Sequence, residues 1–473
     1  MSADPTLQRL ASGVLWPGFL GTRAPDWLRR GLDDGLPGAV LFGHNVDPED
    51  PDGTSRLAAS IRAEGDALLL GIDEEGGSVT RLEAATGSSF PGAAQLGRIG
   101  DPGLTRSVAA ALGARVRRGG ATMVLGPVAD VNSNPRNPVI GVRSFGADPE
   151  TVSRHTAASV EGLRAGGVLS CVKHFPGHGD TVADSHIDAP RVQLGRERMD
   201  AIHLPPFVAA IEAGADAVMT AHVIFPEFGE APATVNPAVL GRLRELGFTG
   251  LIVTDALDMA AISQTMGVGP GAVASLAAGA DLLCLGNPAP VYRRSAGDDE
   301  HDFTGTRDAI VEALRSGALP VERLEEAGSA SLARGGRPTG SPGPRTTRGS
   351  RRSAVASSSA SQTVRSSSRA SEPRTSPSRD CCSTSVAART ARSPRATSRS
   401  PSSSTRSPGP STPRTGRRSP SSRASEGIPV RCSCSATRCR RRTRSGDSSP
   451  TSERSAPTRS CSTRGRPARP TRR

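Results

Sequence analysis

Eight short apolar runs alternate with longer segments of helical character along the first two thirds of the chain, and this alternation is what most constrains the fold. The segments Thr105 to Arg118 and Asp148 to Ala165 carry apolar residues at spacings of three and four, as one face of a helix does. Runs without a period of two are typical of parallel strands buried on both faces. The eight apolar runs are Gly13 to Phe19, Ala39 to Phe42, Ala67 to Ile72, Thr122 to Leu125, Val168 to Val172, Ala217 to Ala221, Leu251 to Thr254 and Leu282 to Leu285.

Eight β/α units within about 330 residues predict an α/β fold of the TIM (β/α)8-barrel type. A doubly wound open sheet is the alternative, but no G-x-G-x-x-G turn follows the first run and the sequence has no P-loop. No internal repeat recurs at a fixed period. We therefore assign residues 1–335 to one barrel domain, and we expect its functional residues at the carboxyl ends of the strands.

Residues 336–473 have a different composition. They contain no Leu, Phe, Met, Trp or Tyr, and they hold 31 basic against 5 acidic residues, whereas residues 1–335 hold 28 basic against 41 acidic. The basic charge of the whole protein therefore belongs to this segment. So few apolar residues cannot offset the entropy lost on ordering, and we expect a low-complexity, disordered tail.

Three explanations compete for this tail. A basic tail would bind nucleic acid or an anionic surface without sequence preference. Cys432, Cys434, Cys439 and Cys461 could suggest a metal site, but their spacing matches no zinc motif and no His accompanies them. A shifted reading frame of GC-rich codons would give this mixture of Arg, Ser, Pro and Ala, and the abrupt change between Arg334 and Gly343 fits it best. We favour the last explanation and expect no specific nucleic-acid partner.

Residues 1–335 contain two cysteines, Cys171 and Cys284, and both lie in apolar runs. Buried thiols so placed favour a reducing compartment over a disulfide framework. The N-terminal sequence has no basic start followed by an apolar stretch, and no apolar run reaches about 18 residues. We therefore expect a cytoplasmic protein without a membrane partner. We also expect a monomer.

The stretch Lys173 to His186, KHFPGHGDTVADSH, contains the only lysine of the protein and three of its eight histidines. Its glycines and Pro176 cannot continue a helix or a central strand, so we predict a loop at the carboxyl end of the preceding strand. Asp184 and His186 are two residues apart, so their side chains point the same way in an extended segment. The carboxylate can then orient the imidazole as a general acid/base.

Polar residues also follow four other apolar runs: Asp73 and Arg81 after the third, Asp130, Asn132, Asn134 and Arg143 after the fourth, His222 after the sixth and Asp255 after the seventh. Singly, such residues can cap helices or lie in solvent. At five successive strand ends they are typical of a carbohydrate site. A metal site built from His174, His178, His186 and His222 is an alternative that insensitivity to a chelator would exclude, and we expect no metal or other cofactor.

The motif KHFPGHGDT followed by DSH resembles the signature of family 3 glycoside hydrolases, in the β-N-acetylglucosaminidase branch that trims peptidoglycan fragments. NPRNPVIGVRSFGADPETV is nearly as specific, and the resemblance runs from about Gly13 to Leu332. Ser78 departs from it, since many relatives carry Arg there. Many members continue into a smaller α/β domain of about the tail's length, which supports the shifted-frame explanation. The resemblance implies hydrolysis of terminal β-linked N-acetylglucosamine from such fragments.

The resemblance also implies roles for particular residues. Asp255 is then the nucleophile, and His186 is the acid/base with Asp184 as its partner. A retaining glycosidase needs both functions, because one group forms the glycosyl intermediate while the other protonates the leaving oxygen. The residues implied to bind sugar hydroxyls are Asp73, Arg81, Arg143, Lys173 and His174.

Two alternatives to hydrolysis stay open. An imidazole acid/base does not repel an incoming anion as a carboxylate would, so phosphate could replace water and make the protein a phosphorylase. A catalytically dead carbohydrate-binding barrel is the other alternative. The intact set of Asp255, Asp184 and His186 argues against it, because binding alone requires neither a nucleophile nor an acid/base.

Overall fold

The computed structural model of the chain describes residues 4–65, 67–183, 189–288 and 299–335. The strands in these residues are β1 Leu15–Pro17, β2 Gly38–Leu41, β3 Leu69–Ile72, β4 Met123–Val124, β5 Leu169–Phe175, β6 Ala217–Thr220, β7 Leu251–Val253 and β8 Leu283–Gly286. The α-helices are α1 Pro5–Ser12, α2 Asp26–Asp33, α3 Gly53–Arg62, α4 Ala93–Ile99, α5 Pro102–Arg118, α6 Pro149–Ala165, α7 Arg196–Ile202, α8 Pro205–Glu212, α9 Pro237–Glu245, α10 Ala260–Ser263, α11 Val268–Ala278, α12 Asp299–Arg315 and α13 Val321–Gly335.

The strands form a curled parallel sheet with at least one helix between each successive pair from β1 to β8. Strands β2 to β7 pair in chain order, and β1 pairs with β8. Single parallel bridges also join Gly18 to Val40 and Val253 to Leu282. Every predicted strand overlaps one of these eight, and the predicted α/β fold is confirmed.

Lys173 and His174 lie in β5 rather than on a loop after it, so this part of the sequence prediction is wrong. The apolar pattern stops at Val172, but the neighbouring chain segments continue to supply backbone partners. Ala129 N–H donates to Lys173 O at 2.6 Å, and Ala221 N–H donates to Phe175 O at 2.7 Å. Because these bonds depend on residues far away in sequence, local composition could not reveal them.

The sheet is apolar on both faces, which explains the nearly continuous apolar runs. Along β7 the side chains alternate, with Leu251 and Val253 in one cluster and Ile252 in another. The cluster that contains Leu251 and Val253 takes residues from every strand or its immediate flank, so it fills the concave side of the sheet. There Trp16 Nε1 donates to Leu69 O at 2.9 Å. Cys171 and Cys284 belong to it as buried free thiols, as predicted, and burial raises their pKa values.

Helix α13 packs against the amino-terminal ends of the strands. Arg334 is buried there, and its Nη1 lies 3.4 Å from Oδ1 of Asp216, which directly precedes β6. Gly335 packs so closely that a Cβ would lie 1.7 Å from the carbonyl oxygen of Ala67. No helix in the described ranges is both long and apolar enough to cross a membrane.

We predict that Arg334→Ala destabilises the protein by about 3 kcal/mol, because it leaves the buried Asp216 carboxylate without its arginine. Urea unfolding followed by circular dichroism measures the change. Arg98→Ala removes an exposed guanidinium from α4 and should cost less than about 0.5 kcal/mol. Equal losses in the two variants would show that the buried pair does not stabilise this end of the sheet.

Candidate active site

The polar residues predicted at strand ends lie along one edge of the sheet, because the strands are parallel. Asp73 directly follows β3, and Asp255 follows β7 after one residue. Arg143 lies in the 3-10 segment Gly141–Arg143 between β4 and α6. Of the other predicted site residues, Asp184 and His186 lie outside the described residues.

Lys173 lies at the centre of a charged cluster. Its Nζ lies 2.6 Å from Oδ1 of Asp73 and 2.8 Å from Oε1 of Glu75. Asp73 Oδ2 accepts from Arg81 Nη2 at 3.2 Å. Glu75 accepts from Arg143 Nε at 3.0 Å and Nη2 at 2.8 Å. The structure therefore brings four of the five predicted sugar-binding residues together, and it adds Glu75. We call Lys173, Asp73, Glu75, Arg81 and Arg143 the lysine cluster.

The groups of the lysine cluster hold each other in the charged form. Burial alone would raise the pKa of Glu75, but Arg143 and Lys173 lower it to about 2. Burial opposes ionisation of Asp73 as well, yet Lys173 and Arg81 hold the pKa of its carboxyl far below the usual value. Burial would lower the pKa of Lys173, but the two carboxylates raise it. At neutral pH, three cations and two anions offer both donors and acceptors to neighbouring hydroxyl groups.

Glu75 was missed at the sequence level, although an alternation in IDEEGG could have revealed it. Asp73 and Glu75 are two residues apart, and both carboxylates contact Lys173. Glu74 points the other way, and its Oε2 accepts from Arg81 N–H at 2.9 Å. Gly76 follows with φ +78°, which a glycine adopts readily, and the chain turns back toward Arg81.

Asp130 is wholly buried and holds two histidines, which corrects its expected place among sugar-facing residues. Its carboxylate accepts from His174 Nδ1 at 2.7 Å and from His178 N–H at 2.6 Å. Because a carboxylate only accepts, Nδ1 of His174 carries a proton and donates it to Asp130. Burial would raise the pKa of Asp130, but His174 and these hydrogen bonds lower it to about 2.

The loop after β4 braces the loop after β5. Asn137 Nδ2 donates to His178 O at 2.8 Å, and Asn134 Nδ2 donates to Asp180 O at 3.3 Å. Burial lowers the pKa of His178 to about 4, so its ring is neutral at pH 7. Its Nδ1 lies 3.0 Å from Thr181 Oγ1. Within the described ranges, no three His, Cys, Asp or Glu side chains converge as a metal site requires.

Asp255 is half-buried, and the chain after it is not helical until α10 begins at Ala260. It therefore does not cap the next helix. Its Oδ1 accepts from Ala256 N–H at 2.8 Å. His222, which follows β6, reaches the same segment, since its Nε2 lies 2.8 Å from Ala256 O.

We predict that Asp130→Asn lowers the free energy of unfolding at pH 7 by about 1–3 kcal/mol, because the new amide N–H groups face the proton on Nδ1 of His174. The depressed pKa of Asp130 stabilises the fold fully above its unfolded value of about 3.9, and this stabilisation is lost as pH falls toward 2. The difference between variant and wild type should therefore shrink from pH 7 to pH 3 in urea unfolding.

The control for this variant is Asp33→Asn, which removes an exposed carboxylate near the end of α2. It should leave stability nearly unchanged at each pH. A deficit in Asp130→Asn that stays constant down to pH 3 would show that the ionised carboxylate is not what holds the two histidines.

Comparison with known proteins assigns the family. Residues 26–329 match the model described as "Glycosyl hydrolase family 3 N terminal domain". The chain is 35% identical over 325 residues to β-hexosaminidase A of Pseudoalteromonas piscicida, covering 63% of this chain but only 52% of that relative. It is 36% identical over 272 residues to a β-hexosaminidase of Stenotrophomonas maltophilia (strain R551-3), covering 56% of this chain and 79% of that one.

A solved structure agrees. The family 3 β-N-acetylglucosaminidase from Paenibacillus sp. str. FPU-7 superposes with a TM-score of 0.64 at 39% identity, over 70% of this chain and 62% of that one. The family resemblance seen in the histidine motif is thereby confirmed. Because the family model also matches well over half of its residues, the chain belongs to glycosyl hydrolase family 3.

Proposed function

We propose that the protein is a retaining β-N-acetylglucosaminidase that hydrolyses terminal β-linked N-acetylglucosamine from peptidoglycan-derived fragments. The observation that carries the proposal is the lysine cluster at the same edge of the sheet as Asp255. The names of the β-hexosaminidase and β-N-acetylglucosaminidase relatives support it. We also propose that the strands close into a (β/α)8 barrel and that the protein acts as a cytoplasmic monomer.

The lysine cluster supplies what recognition of a terminal sugar requires. Vicinal hydroxyl groups both donate and accept, and the cluster pairs carboxylates with guanidinium and ammonium groups. Lys173 has three donors, and in the described residues Asp73 and Glu75 each take one. The remaining donor can serve a sugar oxygen. His174, held by Asp130 through Nδ1, can offer Nε2 to a hydroxyl group.

Asp255 is the proposed nucleophile. The Ala256 N–H group holds its Oδ1, so the carboxylate has a defined orientation as it attacks the anomeric carbon. His186, oriented by Asp184, protonates the leaving oxygen in the first step. In the second step it takes a proton from the water that releases the sugar.

The first test is the release of nitrophenol from nitrophenyl β-N-acetylglucosaminide by the purified full chain. Asp255→Ala should reduce turnover to the background rate, because no other group forms the glycosyl intermediate. Asp308→Ala, which removes an exposed carboxylate from α12, should retain full activity. In phosphate buffer the product should be free sugar. Faster formation of sugar 1-phosphate would identify a phosphorylase instead.

The second test concerns the acid/base. His186→Ala should slow substrates with poor leaving groups far more than aryl glycosides, by about 10²-fold or more, because good leaving groups need little protonation. The kcat/KM values for a disaccharide and for the nitrophenyl glycoside measure the difference. Equal losses on both substrates would argue against His186 as the proton donor.

A further inference from the structure

His222 is buried directly behind the segment that carries Asp255. Its ring is fully buried, and both nitrogens are engaged. Nε2 lies 2.8 Å from Ala256 O, and Nδ1 lies 2.8 Å from Thr234 Oγ1. Its position after a strand, at the edge of the sheet that carries Asp255, predicts contact with the substrate. Its partners instead indicate a role in holding the chain.

The partners of His222 fix the proton on its Nε2. A carbonyl oxygen only accepts, so Nε2 must carry a proton and donate it to Ala256 O. Nδ1 lies 2.8 Å from Thr234 Oγ1, a hydroxyl that also lies 3.0 Å from Ala221 O and 2.9 Å from Thr220 Oγ1. Thr234 is fixed in turn, because its N–H donates to Ala221 O at 3.2 Å. Contacts at both ring nitrogens therefore hold the ring in one orientation.

The peptide group between Ala256 and Leu257 is held from two sides. Its carbonyl oxygen accepts from His222 and from Met259 N–H, the latter at 3.1 Å, and its own N–H, that of Leu257, donates to Cys284 O at 2.9 Å. The preceding peptide group carries the Ala256 N–H that donates to Asp255 Oδ1 at 2.8 Å. His222, which follows β6, and Cys284 of β8 thus hold, through one peptide group, the donor that orients the Asp255 carboxylate.

We propose that His222 is a positioning residue that orients the Asp255 carboxylate by holding the Ala256 carbonyl. This inference rests on the proposed function of Asp255 as nucleophile. Without the imidazole, the Ala256 carbonyl keeps only the Met259 N–H as a donor, 3.1 Å away, so the peptide groups beside Asp255 are held less firmly. A misplacement of about 1 Å in a reacting group costs about 10²-fold in rate. Binding of the sugar, which relies on the lysine cluster, does not depend on this contact.

The test compares His222→Ala, His222→Gln and a matched control. His155 is a second fully buried imidazole, with Nδ1 2.7 Å from Thr105 Oγ1 between α5 and α6. His222→Ala should lower kcat about 100-fold with KM within about threefold. Gln at position 222 can donate an amide proton to Ala256 O and should recover at least about tenfold in kcat. His155→Ala should lose comparable thermal stability but keep its kcat.

A second measurement needs no substrate. Amide hydrogen exchange followed by NMR should show the Leu257 N–H exchanging at least about tenfold faster in His222→Ala, but not in His222→Gln or His155→Ala. Unchanged exchange at Leu257, or equal kcat in His222→Ala and His155→Ala, would overturn the proposal. A wild-type protein without glycosidase activity would overturn the proposed function instead, and the exchange result would still decide whether His222 holds the peptide group.

Discussion

The site depends on one buried ammonium group placed between two carboxylates. Lys173 is only 4% exposed at its side chain, so its charge is stabilised by Asp73 and Glu75 rather than by water. Each carboxylate in turn binds an arginine. Such a cluster must be complete, because removal of one partner leaves a buried charge without compensation. The compact ammonium suits this position, since a single nitrogen contacts both carboxylates where a planar guanidinium would need a wider space.

In the proposed mechanism, some groups around the lysine cluster face the substrate, and others hold these groups in place. Asp130 and His222 are both fully buried, and both act through hydrogen bonds to a neighbour. Asp130 fixes the proton position in His174, while His222 holds the peptide group after Asp255. Asp130 and His222 each follow a different strand from the one that carries the group they position. The parallel sheet therefore provides the rigidity that a catalytic arrangement requires.

The sequence was sufficient for the strands, the main helices and most of the lysine cluster. Strands buried on both faces leave an apolar run that composition reveals, and parallel pairing collects the residues after them at one edge. Contacts between distant segments were not predictable in the same way. The extension of β5 through Lys173 depends on backbone partners near Ala129 and Ala221. The burial of Asp130 depends on two histidines that follow more than 40 residues later. The roles of Asp184 and His186 stay predictions.

The two ends of the sheet differ in what their charged residues do. At the end opposite the site, Asp216 binds Arg334 and Asp281 binds Arg244 and Arg323, so these carboxylates are satisfied by the fold itself. Arg334 and Gly335 fit their partners closely, and the composition changes at the next residue. The composition therefore changes where the close-packed contacts at this end of the sheet stop, and the shifted-frame explanation of the tail stays a prediction.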